Sequence, residues 1–128
     1  MMIIKRYKSN KYHAKRQIID GIKFDSKAEA LYYQRHIKLL KKRFTCHKSF
    51  EIIPKFKVGK KNKRHRVYSP DFVIYDDDGN MTKVIDVKPT KITTDASLRM
   101  TLFESIYHIP VTIAKYNYRT KTFEESEF

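Results

Sequence analysis

Cysteine occurs once in this 128-residue chain, as Cys46, so no intramolecular disulfide can form and a reducing compartment fits best. Three glycines and four prolines are too few and too scattered to make a linker, and no segment repeats. The length then suits one domain around a single core. No apolar run approaches the ~20 residues of a membrane helix, and Met1-Met2-Ile3-Ile4 is too short for a signal-peptide core. A cytosolic protein without a membrane partner is expected. Acidic residues are also scarce: 14 Asp and Glu stand against 28 Lys and Arg, for a net charge of +14. Such a field favours a polyanionic partner, nucleic acid ahead of membrane or acidic protein.

The positive charge is clustered. Residues 5 to 16 carry Lys5, Arg6, Lys8, Lys11, Lys15 and Arg16 with no acid, and their lack of apolar periodicity reads as an arm suited to phosphate contact. Gln17 to Ile19 and Ile22 to Phe24 flank Asp20-Gly21 as a small hairpin. Ser26-Lys27-Ala28-Glu29 matches a capping box, so a helix is expected from Ser26 to about Leu40, with the Glu29 carboxylate free to reach back to the N-cap amide. Lys41 to Lys48 reads as basic and irregular. Cys46-His47 has no second Cys or His pair at zinc spacing, so Cys46 is expected to be a small, at least half-buried residue outside any zinc site. Phe50 to Val58 reads as a strand leading to a cationic loop with Lys60, Lys61, Lys63, Arg64 and Arg66. Pro89 should end the strand before it. Asp95 should then cap a second helix over about Ala96 to Tyr107, with Leu98, Leu102 and Ile106 as its core stripe and Arg99 off that stripe, able to face a phosphate. A last core strand, Val111 to Tyr116, precedes an acidic tail expected to fray. The organisation is an arm over 1–16, one domain over 17–123 and the tail over 124–128.

The chain is organised around Asp71 to Lys88. Phe72 to Tyr75 and Met81 to Val87 are rich in β-branched and aromatic residues, and Asp78-Gly79 between them is a strong hairpin signal. A two-residue turn there gives strand partners whose numbers sum to 157: Tyr75 faces Thr82, Val73 faces Val84, and Asp71 faces Asp86, with Lys88 on the same side. Directly opposed carboxylates destabilise a sheet, by an amount comparable to the roughly 0.2 to 1 kcal/mol of a good cross-strand pair. A divalent cation between them offsets this, and hard oxygen donors suit Mg²⁺ or Mn²⁺. Each acid alone could equally cap or border a strand. In the pair, Pro70 before the first and Asp86-Val87-Lys88 at the second make that reading less ordinary.

The expected element order, with Pro70-Asp71 and Asp86-Val87-Lys88, resembles the PD-(D/E)XK nuclease superfamily, whose restriction-endonuclease-like core is αβββαβ, a mixed sheet flanked by helices. Glu29 matches the acid that many members carry on the first core helix. Lys11 to Lys15 and Asp20 to Ala30 look like a small family of phage-encoded nucleases similar to Holliday-junction resolvases. The resemblance covers about Lys11 to Lys88. It implies an α/β (α+β) fold and metal-dependent hydrolysis of DNA, leaving 5′-phosphate and 3′-hydroxyl ends. Asp71, Asp86 and the Val87 carbonyl would hold the metal, Glu29 would bind it, a second metal or a metal-bound water, and Lys88 would orient water or stabilise charge on phosphorus.

Lys11, Lys15, Arg16, Lys60, Lys61, Lys63, Arg64, Arg66 and Arg99 are the expected backbone contacts, which set affinity and carry little base identity. With no recognition-helix or zinc-finger signature, DNA shape, such as a branch, is the expected target. Cutting both strands of a symmetric junction calls for a homodimer. A nuclease acting on linear or transposon-end DNA with a partner protein, a non-catalytic DNA-binding protein, and an RNA-binding protein are the rival readings.

Overall fold

A computed structural model describes residues 16–88 and 91–128. Lys11 and Lys15 of the arm lie outside them. β1 (Gln17–Ile19) and β2 (Ile22–Phe24) form the expected hairpin. Asp20 and Gly21 both take positive φ, 52° and 77°, as a type I′ turn requires. Helix α1 (Lys27–Tyr32) starts at Ser26, whose hydroxyl accepts the Glu29 amide at 3.1 Å. The helical path continues to Leu40 through a π-helical turn, Tyr33–Ile37, and a 3₁₀ turn, Lys38–Leu40. The π turn keeps both Tyr33 and Ile37 buried.

The chain beyond Lys41 holds more strand than the sequence pattern suggests. β3 (Phe44–Cys46) lies where irregular chain is expected, because its amides pair with the edge of a later strand. The single strand expected from Phe50 to Val58 is broken at Pro54-Lys55 into β4 (Phe50–Ile53) and β5 (Phe56–Val58). β5 turns at Gly59-Lys60 into β6 (Lys61–Lys63), and the chain returns along β4 as β7 (Arg66–Tyr68). The cationic loop is therefore a β-ribbon and the start of a further strand.

β8 (Phe72–Tyr75) and β9 (Met81–Lys88) form the organising hairpin, with Val73 opposite Val84 as the spacing predicts. The turn is one residue longer than expected. The Asp76 amide donates to the Asn80 carbonyl at 2.9 Å and the Gly79 amide to the Asp76 carbonyl at 3.1 Å, with Gly79 at φ 84°. That is a three-residue loop closed on a positive-φ glycine. The Asp76 side chain stabilises it by accepting the amides of Asp78 and Asn80. Tyr75 consequently pairs with Met81, and a bulge at Thr82 restores the register before Ile74.

Helix α2 (Thr94–Tyr107) is capped by Thr93, which accepts the Ala96 amide at 3.1 Å, rather than by Asp95. It crosses to β10 (Val111–Asn117), parallel to β9, and the chain ends in β11 (Thr122–Glu127), antiparallel to β10. The acidic tail is thus a sheet edge, held by hydrogen bonds along β10 and by Lys83 Nζ at 2.6 Å from Glu125. Strand order is β11-β10-β9-β8-β3. The fold is a mixed α+β arrangement: α1, β3, β8, β9, α2 and β10 follow the αβββαβ order, with β4 to β7 as an excursion between β3 and β8.

Alternation along the strands gives each face its own cover. Phe72, Ile74, Ile85, Val87, Ala114 and Tyr116 pack with Ala28, Ala30 and Tyr32 of α1. Val73, Val84, Val111 and Ile113 pack with Met100 and Phe103 of α2, together with Phe50, Ile52 and Tyr68. Of the expected α2 stripe, Leu102 packs against this core, while Leu98 and Ile106 do not enter it. Leu98 is 61% exposed and Ile106 45%, whereas Met100 and Phe103 are fully buried. Both stripes have helical spacing, and the sheet beneath selects the one carrying the aromatic ring. Phe103→Ala should cost about 3–5 kcal/mol of stability in chemical denaturation, and Leu98→Ala should stay within about 0.5 kcal/mol. Equal effects would contradict this assignment.

Candidate active site

The end of β3, the start of β8 and the end of β9 meet at one end of the sheet, because β8 runs antiparallel to both neighbours. Asp71 sits just before β8, Asp86 and Lys88 close β9, and His47 follows β3. The first turn of α1 brings Glu29 to the same place. Asp71 Oδ2 accepts the Val87 amide at 2.7 Å. The N–H and C=O of one strand residue face the same neighbour, so the Val87 carbonyl opens toward Asp71 as well. Asp86 is almost fully buried, with the Tyr68 hydroxyl donating to Oδ2 at 2.6 Å and Lys88 Nζ 3.2 Å from Oδ1.

Glu29 is also buried, and its carboxylate does not turn back to cap α1. It pairs instead with His47 Nε2, which lies 3.9 Å from Asp71 Oδ1. His47 is fixed by its backbone, which takes φ 57° and donates its amide to the Asp71 carbonyl at 3.2 Å. Asp25, Glu29 and His47 offer donor atoms that all lie within 4.8 Å of one another.

The electrostatics reflect this crowding. Burial, followed by the charges of Asp86 and Glu29, pushes the Asp71 carboxyl well above the usual range, while the Val87 amide and Lys88 oppose the shift. Burial raises Glu29, with His47 opposing. Tyr68 is raised by burial and by its acceptor Asp86, so it stays a neutral donor. Three carboxylates thus face one region with a lysine and a histidine against them. That donor set fits a hard divalent cation held by Asp71, Asp86 and the Val87 carbonyl, with Glu29 adjoining.

Of the residues expected from the sequence, Glu29, Asp71, Asp86, Val87 and Lys88 converge. Arg16, Lys60, Lys61, Lys63, Arg64 and Arg66 are exposed. Arg99 is already engaged: Nε donates to Asp95 at 3.0 Å and Nη1 to the Val67 carbonyl at 2.5 Å, so it fastens α2 to β7 rather than standing free for a phosphate. Two site residues escape the sequence reading. His47 follows a strand hidden among basic residues, and Tyr68 ends β7, past the expected cationic loop and outside any expected element. The alternation of Phe44-Thr45-Cys46 is the one signal that could have placed His47 at a strand end.

Fold and site together define a mixed α+β domain with a carboxylate-lined centre at one end of its sheet. The chain belongs to the family described as protein of unknown function (DUF1064), whose model matches residues 9–125. No curated protein and no solved structure matches it.

Cys46 borders this centre, half-buried, and its thiol is pushed up to about 12 by burial and then by Glu29 and Asp71. A thiol raised this far stays protonated at pH 8, and only the thiolate reacts. Alkylation by iodoacetamide at pH 8 should therefore run on the order of 10³-fold slower in the native protein than in the urea-unfolded chain, whose thiol returns to about 8.5. Comparable rates would contradict the placement.

Proposed function

We propose that the protein is a metal-dependent DNA endonuclease of the PD-(D/E)XK type that hydrolyses phosphodiester bonds, with branched DNA of the Holliday-junction class as its substrate. The observation that carries the reading is the convergence of Asp71, Asp86 and Glu29, where burial first and the neighbouring carboxylates second raise the Asp71 carboxyl. Lys88 beside Asp86 completes the constellation. The order α1-β3-β8-β9-α2-β10 supports it, as does the net charge of +14.

Asp71, Asp86 and the Val87 carbonyl would hold Mg²⁺ or Mn²⁺, which when bound would supply Lewis acidity for phosphodiester hydrolysis. The chain's own groups prepare that site. Tyr68 occupies Oδ2 of Asp86, whose Oδ1 meets Lys88, and the Val87 amide occupies Oδ2 of Asp71, so both carboxylates are aimed and held. Lys88, anchored on Asp86, faces the phosphate with a positive charge where negative charge develops on phosphorus. His47 holds the Glu29 carboxylate toward the centre. The exposed Lys60, Lys61, Lys63, Arg64 and Arg66 bind the DNA backbone, and β7 joins them to Asp71 through Ser69-Pro70.

No described helix is long and apolar enough to cross a membrane. Action in the cytoplasm, the host's if the chain is phage-encoded, fits its single cysteine. Cutting paired strands of a symmetric junction takes two centres, hence a homodimer.

Asp86→Asn should lower Mg²⁺-dependent cleavage of a four-way junction on the order of 10³-fold, several kcal/mol of lost transition-state stabilisation, and retain junction binding in a gel-shift assay. Unchanged cleavage would refute the assignment. Equal cleavage of a linear duplex of the same sequence would remove the junction reading and leave a general nuclease.

A further inference from the structure

The ribbon β5–β6 carries a feature that backbone binding does not use. Its strands pair as Phe56 with Lys63, Lys57 with Asn62 and Val58 with Lys61, across the two-residue turn Gly59-Lys60. Residues two apart share a face, as do cross-strand partners. One face therefore presents Phe56 and Val58 flanked by Lys63 and Lys61. All six strand residues are exposed, and Phe56 and Val58 leave 50% and 57% of their surface in solvent. A two-stranded ribbon is marginal on its own, and uncovered apolar surface weakens it further.

Lys55, Phe56, Lys57, Asn62, Lys63 and Arg64 line an open hollow of about 580 Å³ along the ribbon, Lys57 and Asn62 coming from its other face. From Lys55 to Arg66 the chain carries no acid. An uncovered ring with cations on either side is complementary to a nucleobase still attached to its phosphates. Every base has a π-face to stack, while lysine and arginine hold the backbone. Paired bases inside a duplex do not expose that face.

We propose that the Phe56 face of the ribbon binds an unpaired nucleotide of DNA, stacking its base on the ring, so that the protein engages DNA with single-stranded or splayed bases beside the duplex. This rests on the nucleic-acid reading above and deepens its substrate. A lipid surface would also meet an apolar and cationic face. Lys61 and Lys63 beside Phe56 and Val58, set on a narrow ribbon, match the spacing of charge and base along a strand better than they match a membrane plane.

The test uses the full chain in EDTA, so that nothing is cut, with a duplex bearing a single-stranded DNA flap, the blunt duplex, the same flap in RNA, and anionic phospholipid vesicles. In fluorescence anisotropy, Phe56→Ala should weaken flap binding about tenfold, the scale of one lost base–aromatic stack, and blunt-duplex binding less than about twofold. Phe56→Trp should keep flap affinity. Circular dichroism should be the same for all three proteins, since the side chain is exposed. Equal weakening on both DNAs, no weakening on either, tighter binding to the RNA flap, or Phe56-dependent binding to vesicles in place of DNA would each overturn the proposal. Phe56-dependent flap binding without Mg²⁺-dependent cleavage would sink the nuclease reading alone. Cleavage without Phe56 dependence would sink this one alone.

Discussion

Like charge forced together is the constraint on which this structure turns. Asp71 and Asp86 stand at the same end of adjacent strands, Glu29 arrives from the first helix, and burial of Glu29 and Asp86 with partial burial of Asp71 limits the water that would separate their charges. Within the described residues, the chain answers with hydrogen bonds, one lysine and one histidine. Tyr68 and the Val87 amide each take one carboxylate oxygen, Lys88 another, and His47 takes Glu29. The remaining imbalance is what a divalent cation would resolve.

The fold serves that arrangement. Two apolar faces of one sheet fix the strand register, and a slip of one residue would carry Asp86 to the α1 side and Val87 to the α2 side. The bulge at Thr82 is part of this control, because it reconciles a three-residue turn with the register that sets Asp71 beside Asp86. α2 closes the opposite face, and Arg99 fastens it to the strand that carries Tyr68. The cationic ribbon lies between β4 and β7, so the cluster of positive charge and the carboxylate centre are separate along the chain yet joined by one strand.

Features set by neighbouring residues were legible in the sequence. The Asp20-Gly21 turn, the Ser26 cap and the pairing of Val73 with Val84 follow from local rules, and the grouping of Glu29, Asp71, Asp86, Val87 and Lys88 at one end of the sheet followed from the hairpin and the resemblance together. What escaped was decided by distant partners. The tail becomes a strand because β10 offers it an unpaired edge, and no property of Glu124 or Glu125 announces that edge. α2 carries two apolar stripes of helical spacing, and only the sheet beneath it chooses Met100 and Phe103 over Leu98 and Ile106. Glu29 had a sound local role as a cap, and lost it to His47, a residue 18 positions away that enters through the geometry of β3.

Diffraction from crystals of the protein soaked in Mn²⁺, with data collected at the manganese absorption edge, tests the central claim most directly. The account requires an anomalous peak bounded by Asp71, Asp86 and the Val87 carbonyl, lost in crystals of Asp71→Asn. An empty end of the sheet, or manganese bound only at other positions, would contradict it.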